Sequence, residues 1–114
     1  MITRERRSLC PVAGFLDVLG DRWTMLVVRD LLLGASKHKD FLASLEGIPT
    51  NILADRLKRL EGEGLVDKTA YQDKPVRYTY ALTPKGKDLA PLMQEMVKWW
   101  RKYNEDTPAP TPGD

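Results

Sequence analysis

The chain has 114 residues and a net charge of +2 at pH 7, with 42% of its residues hydrophobic and 30% charged. This length allows one domain with one modest core, and the composition is that of a globular protein. A membrane-spanning protein is excluded, because no run approaches the roughly 18 consecutive apolar residues of a spanning helix. The N-terminal MITRERR lacks the apolar region of a secretory signal, and a single Cys10 excludes an intrachain disulfide, so we expect a cytoplasmic protein.

Two helices are predicted in the first third of the chain. Pro11 to Leu19 forms a short helix, with Pro11 at its first position and Gly20 at its end. One face of this helix carries Val12, Phe15, Leu16 and Leu19. Asp21 can cap a second helix, Trp23 to Leu33, which is apolar nearly all round and is therefore expected to be the central buried element.

A third helix is predicted from Lys37 to Leu45, with Ser36 as its cap. Its inward residues are expected to be Phe41, Leu42 and Leu45. A short turn over residues 46–49 joins it to the next helix, and two helices joined in this way are typical of a helix-turn-helix.

The fourth predicted helix, from about Thr50 to Glu63, has two differently used faces. Leu53, Leu57 and Leu60 recur at spacings of four and three and face a core. The opposite face carries Asn51, Ala54, Asp55 and Lys58, with Arg59 at its margin. Small and amide-bearing residues near a helix N-terminus suit a recognition helix that meets base edges. Gly62 and Gly64 end the helix.

A β-hairpin is predicted next, with strands from Leu65 to Tyr71 and from Arg77 to Thr83 separated by residues 72–76. A hairpin directly after a recognition helix forms a wing, so Lys74 near its tip and Arg77 at its return are candidates for phosphate or minor-groove contacts. Charge agrees with this placement, since residues 49–87 carry eight Lys and Arg against five Asp and Glu.

A final helix is predicted from Thr83 as cap and Pro84 at the first helical position. Pro91 predicts either a kink or a main helix that begins there. A broad apolar stripe along this helix exceeds what one small domain can cover, so we expect a dimer seam. The seam residues are Leu89, Leu92, Met93, Met96, Trp99, Trp100 and Tyr103. We divide the chain into an N-terminal arm (1–10), the domain (11–103) and a disordered tail (104–114).

Together these elements predict a mainly α protein with a small β-hairpin wing, a winged helix-turn-helix. The chain resembles the HxlR-type winged helix-turn-helix transcriptional regulators, which are related in shape to the MarR regulators. The residues that carry the resemblance are spread over most of the chain: Cys10-Pro11-Val12, residues 17–24, residues 29–34, Gly47-Ile48, Leu53, residues 56–61, residues 64–66, Tyr71, Pro75, Arg77, Tyr80, residues 82–84, Gly86 and Trp99. The chain departs from the common pattern at Pro49-Thr50, where many members have Ser-Pro.

The resemblance implies a homodimer joined by its terminal helices, which binds a palindromic operator and is most simply a repressor. The candidate DNA-binding residues are Thr50, Asn51, Ala54, Asp55, Arg56, Lys58, Arg59, Lys74 and Arg77. Asn51 is the best candidate base reader, because its amide can pair bidentately with adenine. For Arg56, a structural ion pair competes with a phosphate contact. For these residues, the alternative is a solvated helix face with ordinary ion pairs. For the function, the alternative is a winged-helix module that binds a protein.

Cys10 has two interpretations. It precedes Pro11 at a helix start, where the helix dipole favours a thiolate, and some HxlR-type regulators sense oxidants or electrophiles at this place. The alternative is a small buried apolar residue. An oxidant or another small molecule is the expected kind of effector.

No enzyme, cofactor or metal site is expected. The single His38 stands between two lysines with no cysteine or second histidine near it in sequence. Gly62-x-Gly64 follows a helix and precedes a strand, which is the wrong order for a dinucleotide-binding loop.

Overall fold

The structure is a computed structural model that describes residues 8–104. Within this range the chain forms six helices and one two-stranded antiparallel sheet. In chain order the elements are α1 (Pro11–Leu19), α2 (Thr24–Leu32), α3 (His38–Leu42), α4 (Thr50–Gly62), β1 (Val66–Asp73), β2 (Val76–Leu82), α5 (Pro84–Lys87) and α6 (Ala90–Tyr103). The predicted arm and tail fall outside the described residues, apart from residues 8–10 and 104.

The helical frame agrees closely with the sequence-based expectation. The predicted bounds of α1 are confirmed. Those of α2 differ by one residue at each end, and those of α4 by one residue at the C-terminal end. The Asp21 carboxylate accepts the backbone N–H groups of Trp23 and Thr24 at 2.9 and 3.0 Å, so the predicted cap of α2 is confirmed. At the end of α4, Gly64 has φ 76°, a left-handed conformation that glycine adopts without a Cβ penalty.

The prediction for α3 was wrong in its length and its cap. The helix runs only from His38 to Leu42, and Ser36 does not cap it. Instead, the Asp40 carboxylate accepts the backbone N–H groups of Ser36 and Lys37, both at 2.9 Å. Of the three residues expected to face inward, Phe41 is fully buried, whereas Leu42 and Leu45 are exposed, and Leu45 lies beyond the end of the helix.

The hairpin is longer than predicted and has a tighter turn. Its strands extend to Asp73 and Val76, which pair with each other, so the connection is Lys74-Pro75 rather than five residues. A register irregularity lies between Ala70 and Gln72. Tyr80 in β2 donates its backbone N–H to the Ser36 carbonyl at 2.7 Å, which fixes the hairpin to the segment before α3.

The C-terminal helix is divided. The Thr83 hydroxyl accepts the Gly86 N–H, so Thr83 caps α5 as predicted. The main helix, α6, begins at Ala90 with Pro91 in its first turn, where the proline costs no internal hydrogen bond.

The core lies where α2, α3 and α4 meet the base of the hairpin. Its buried apolar residues are Leu19, Val27, Val28, Leu31, Phe41, Ile48, Leu53, Leu57, Leu60, Leu65 and Val66. No residue of α6 is buried, although Leu89 just before it and Met93 within it pack against the core.

Candidate nucleic-acid interface

The two faces of α4 differ sharply in exposure. Leu53, Leu57 and Leu60 are at most 1% exposed, whereas the predicted outer residues are all exposed. That outer set is Thr50, Asn51, Ala54, Asp55 and Lys58. The apolar stripe holds the helix to the core, and the hydroxyl, amide and ammonium groups on the other side are free to meet a base edge or a phosphate.

The turn between α3 and α4 is fastened to α2 by two contacts. Arg29 donates to both carboxylate oxygens of Glu46, at 2.9 and 2.8 Å. The buried Asp30 accepts from Arg29 and from the Ser44 hydroxyl. The hydrogen bonds from Arg29 lower the pKa of Glu46 below its ordinary value. These contacts hold the entry of α4 in a set direction.

A third contact holds the middle of α4. Arg56 Nε donates to the Asp21 carboxylate at 3.1 Å, and Arg59 approaches Asp21 and the Val18 carbonyl, each at 3.4 Å. Burial alone would raise the pKa of Asp21, but hydrogen bonds from Thr24, Trp23 and Arg56 outweigh it and lower the pKa well below its ordinary range.

Of the nine candidate DNA-binding residues, two therefore point toward the protein. The guanidinium of Arg56 is paired with Asp21 and Asp55, and its side chain is 17% exposed. Sequence reasoning had left an ion pair and a phosphate contact open for Arg56, and the structure contains the ion pair. Sequence reasoning assigned Asp21 only a capping role and missed its contact with α4, since the two segments are far apart in the chain.

The hairpin presents the remaining two candidates. Lys74 lies in the turn, Arg77 lies in β2 directly after it, and both are exposed. At the base of the hairpin Lys68 is engaged internally, because it lies 3.6 Å from Glu61 and over the ring of Tyr78. The exposed cations Lys74 and Arg77 thus lie at the tip of the hairpin, and the hairpin directly follows α4 in the chain, as a wing does.

An apolar groove of about 730 Å³ lies between α2 and α6. Its walls include Met25, Leu26, Leu92, Met96 and Trp100. Along α6 the large apolar side chains are mostly exposed, with Trp99 at 65%. The predicted seam residues Leu92, Met96, Trp99, Trp100 and Tyr103 are exposed, while Leu89 and Met93 are partly buried.

Cys10 is an exposed free thiol directly before α1. Its backbone carbonyl accepts the Gly14 N–H at 3.0 Å, the first hydrogen bond of the helix, and its own N–H donates to the Ser8 hydroxyl. The interpretation of Cys10 as a buried apolar residue therefore does not hold for the single chain. Leu9, Val12 and Leu16 around it are exposed as well.

Within residues 8–104, no group of three or more metal-ligating side chains lies close enough together to hold a metal ion. In the same part of the chain, no helix is long and apolar enough to cross a membrane.

A family model described as HxlR-like helix-turn-helix matches residues 18–108. The uncharacterized HTH-type transcriptional regulator YvaP of Bacillus subtilis (strain 168) is 42% identical over 96 residues, which cover 83% of this chain and 89% of YvaP. The HTH-type transcriptional regulator YodB of the same organism is 32% identical over 108 residues, which cover 94% of this chain and 91% of YodB.

Solved structures show the same fold. The reduced form of the transcriptional regulator YodB has a TM-score of 0.69 at 31% identity and covers 89% of this chain and 100% of its own. The redox regulator HypR in its oxidized form has a TM-score of 0.72 at 29% identity and covers 82% of this chain and 96% of its own.

Proposed function

Because the chain belongs to the HxlR family of DNA-binding helix-turn-helix transcriptional regulators, we propose that it acts as a homodimer that recognises a palindromic operator and represses transcription by occupying it. The names of YvaP and YodB describe transcriptional regulators and not enzymes.

One observation carries the proposal: the outer face of α4 is exposed although the helix is held from three sides. Leu53, Leu57 and Leu60 fix its inner face, the contact of Glu46 fixes the turn before it, and the contact of Arg56 with Asp21 fixes its middle. A rigid helix with exposed Thr50, Asn51 and Lys58 loses little conformational entropy when it enters a major groove. We assign base contact to Asn51 and backbone contact to Thr50 and Lys58.

The remaining candidates have supporting roles in this proposal. Ala54 and Asp55 lie on the same exposed face, where a small residue permits close approach and a carboxylate can accept from cytosine. Lys74 and Arg77 contact the phosphate backbone from the hairpin. Arg56 and Arg59 support the interface from within the protein. Their guanidinium groups face Asp21, and these contacts hold α4 in place.

The dimer follows from the apolar surface of the terminal helices. The exposed residues of α6 and the exposed Val12 and Leu16 of α1 form more apolar surface than a monomer ordinarily leaves in water. Pairing two such faces about a two-fold axis gives two copies of α4 that are related by the same axis. Two-fold symmetry in the protein then requires an inverted repeat in the DNA.

We further propose that Cys10 makes the regulator responsive to oxidants or electrophiles. The thiol is exposed at the start of α1, and the similar protein HypR is a redox regulator. With one cysteine in each chain, the oxidant diamide can take two electrons from two thiols to form an intersubunit disulfide, or couple Cys10 to a small thiol. A quinone would instead form a covalent adduct with the thiolate.

The proposed function can be tested by selecting duplexes from a random DNA library with the purified protein. We expect the selected sites to contain two inverted half-sites whose centres are about one helical turn apart. Their binding should weaken with a log-log salt slope of about −0.9 for each phosphate neutralised. Recovery of no common sequence, with binding that does not depend on salt, would favour the protein-binding module instead.

The role of Cys10 needs a separate comparison. Operator binding by wild type should fall at least about 10-fold after diamide or quinone treatment, and Cys10→Ser should be unaffected. A Ser8→Ala variant is the matched control, because it alters the hydrogen bond to Cys10 and keeps the thiol. Equal responses of wild type and Cys10→Ser would exclude the cysteine as the sensor.

A further inference from the structure

A second basic surface lies between the start of α3 and the hairpin. It is a cleft of about 340 Å³, which we call the α3–hairpin cleft. Its lining residues are Lys37, His38, Lys39, Tyr71, Gln72 and Arg77. Lys37 and Lys39 supply cations from one wall and Arg77 supplies one from the other, and no carboxylate lines the cleft.

The two walls of the cleft are held in fixed relation. The Tyr80 N–H donates to the Ser36 carbonyl at 2.7 Å, and the rings of Tyr80 and His38 are 5.7 Å apart. Lys37 Nζ lies 4.6 Å from the centre of the Tyr71 ring, a cation–π contact that spans the cleft. Lys37 and Lys39 are neighbours in the sequence, and the fold brings Arg77 to the same cleft.

The cleft keeps a positive charge after the charge of Asp40 is counted. Asp40 is the carboxylate beside Lys37 and Lys39, and it is occupied by the N–H groups of Ser36 and Lys37. These two backbone hydrogen bonds lower the pKa of Asp40, so its single negative charge is present at neutral pH. One carboxylate against the three cations of the cleft leaves a site that attracts an anion.

A phosphodiester has the right chemistry for this cleft. A single negative charge with exposed oxygens can be bound by lysines as point charges and by the fork of an arginine. Arg77 belongs both to the cleft and to the proposed wing contact, so the cleft is continuous with the interface assigned to α4 and the hairpin tip.

We propose that the α3–hairpin cleft binds one backbone phosphate of the duplex in each half-site. The phosphate is held by Lys37, which precedes α3, by Lys39 within α3 and by Arg77 in the hairpin. This inference rests on the proposed function and adds Lys37 and Lys39 to its interface. Because the contact is to the backbone, it strengthens binding to every sequence and positions the hairpin relative to the helix-turn-helix.

The first test compares two double variants with the same change in charge. Lys37→Gln/Lys39→Gln removes two cleft cations, whereas Lys87→Gln/Lys102→Gln removes two exposed cations from α5 and α6. The cleft variant should bind operator and random DNA about 10-fold more weakly, by the same factor, and lose about 0.9 from the salt slope per subunit. Thermal unfolding midpoints of both variants should match wild type. Equal affinities and slopes for the two variants would overturn the proposal.

The second test locates the phosphate. Operators that carry a neutral methylphosphonate at one linkage at a time are titrated with wild type and with Lys37→Gln/Lys39→Gln. One linkage in each half-site should weaken wild type by about 10-fold and leave the variant unchanged, because the variant has already lost that contact. If no linkage behaves in this way, the cleft does not bind a DNA phosphate. Saturable binding of inorganic phosphate to the free wild-type protein would then assign the cleft to a free anion. Failure of the proposed function would look different, since wild type itself would show no operator preference.

Discussion

The Asp21 carboxylate accepts a hydrogen bond from Arg56 Nε at 3.1 Å, and this contact joins the turn before α2 to the middle of α4. The same carboxylate caps α2 through Trp23 and Thr24. One side chain therefore sets both the start of the buried helix and the position of the proposed DNA-reading helix. A change at Asp21 should consequently affect stability and DNA binding together.

The first prediction concerns the pH dependence of stability. The folded-state pKa of Asp21 lies below its unfolded value of about 3.9, so its contribution to stability is complete at neutral pH and is lost as pH falls below about 5. Asp21→Asn should lower the free energy of unfolding at pH 7 by about 1–3 kcal/mol, because it weakens charged hydrogen bonds. Urea unfolding from pH 7 to pH 3 should show the gap between wild type and variant becoming smaller.

Asp67→Asn is the matched control for this prediction. Asp67 is exposed in β1, and its substitution should change the free energy of unfolding by less than about 0.5 kcal/mol at any pH in the range. A gap between wild type and Asp21→Asn that stays constant down to pH 3 would contradict the assigned role of the carboxylate.

The second prediction concerns the close approach of α5 to the base of the hairpin. A Cβ on the buried Gly86 would lie 2.2 Å from the Leu65 carbonyl oxygen and 2.8 Å from Leu82 Cδ2. Because one of these neighbours is backbone, α5 must shift, and Gly86→Ala should destabilise the protein by about 1–3 kcal/mol in urea unfolding.

Gly62→Ala provides the comparison for that substitution. A Cβ at Gly62 has open space around it at the end of α4. Alanine also favours helix, so this variant should be neutral or more stable by up to about 1 kcal/mol. If the two alanine substitutions destabilised the protein equally, the close approach of Gly86 to Leu65 would not be the cause of the destabilisation.

The third prediction concerns the proposed dimer. Trp99→Glu places a charge in the exposed apolar face of α6, and each dimer would contain two copies of the change. Losing the burial of two tryptophans should weaken the dimer roughly 100-fold or more, as measured by sedimentation equilibrium. Gln94→Glu, also exposed on α6, should leave the dissociation constant within about threefold of wild type. A monomer–dimer equilibrium unchanged by Trp99→Glu would place the interface elsewhere.

Local sequence patterns were sufficient for most of the fold. The spacing of Leu53, Leu57 and Leu60 predicts α4 and its buried face. One of the two alternatives predicted from Pro91, a main helix that begins near it, is confirmed. The error in α3 has a physical cause, since Ser36 and Asp40 can both satisfy backbone N–H groups at a helix start. The structure uses Asp40 at the start of the helix; at the other end the helix stops at Leu42, and Leu45 beyond it is exposed.

The features that could not be predicted depend on contacts between distant segments. No local pattern indicates that Asp21 faces Arg56, or that Lys37 lies across a cleft from Arg77. The sequence indicates a capping role for Asp21 and DNA contacts for Arg56 and Arg77, but it does not indicate these pairings. Only the packing of the helices and the attachment of the hairpin through Tyr80 bring them together.

The central claim is that the outer face of α4 reads base sequence while the hairpin tip contacts the backbone. The most direct measurement is the ratio of operator affinity to random-DNA affinity for wild type, Asn51→Ala and Lys74→Ala at one salt concentration. Asn51→Ala should lose about 1–3 kcal/mol of discrimination, and Lys74→Ala should weaken both affinities by a similar factor and keep the ratio. An unchanged ratio for Asn51→Ala, together with unchanged affinities for Lys74→Ala, would contradict the account.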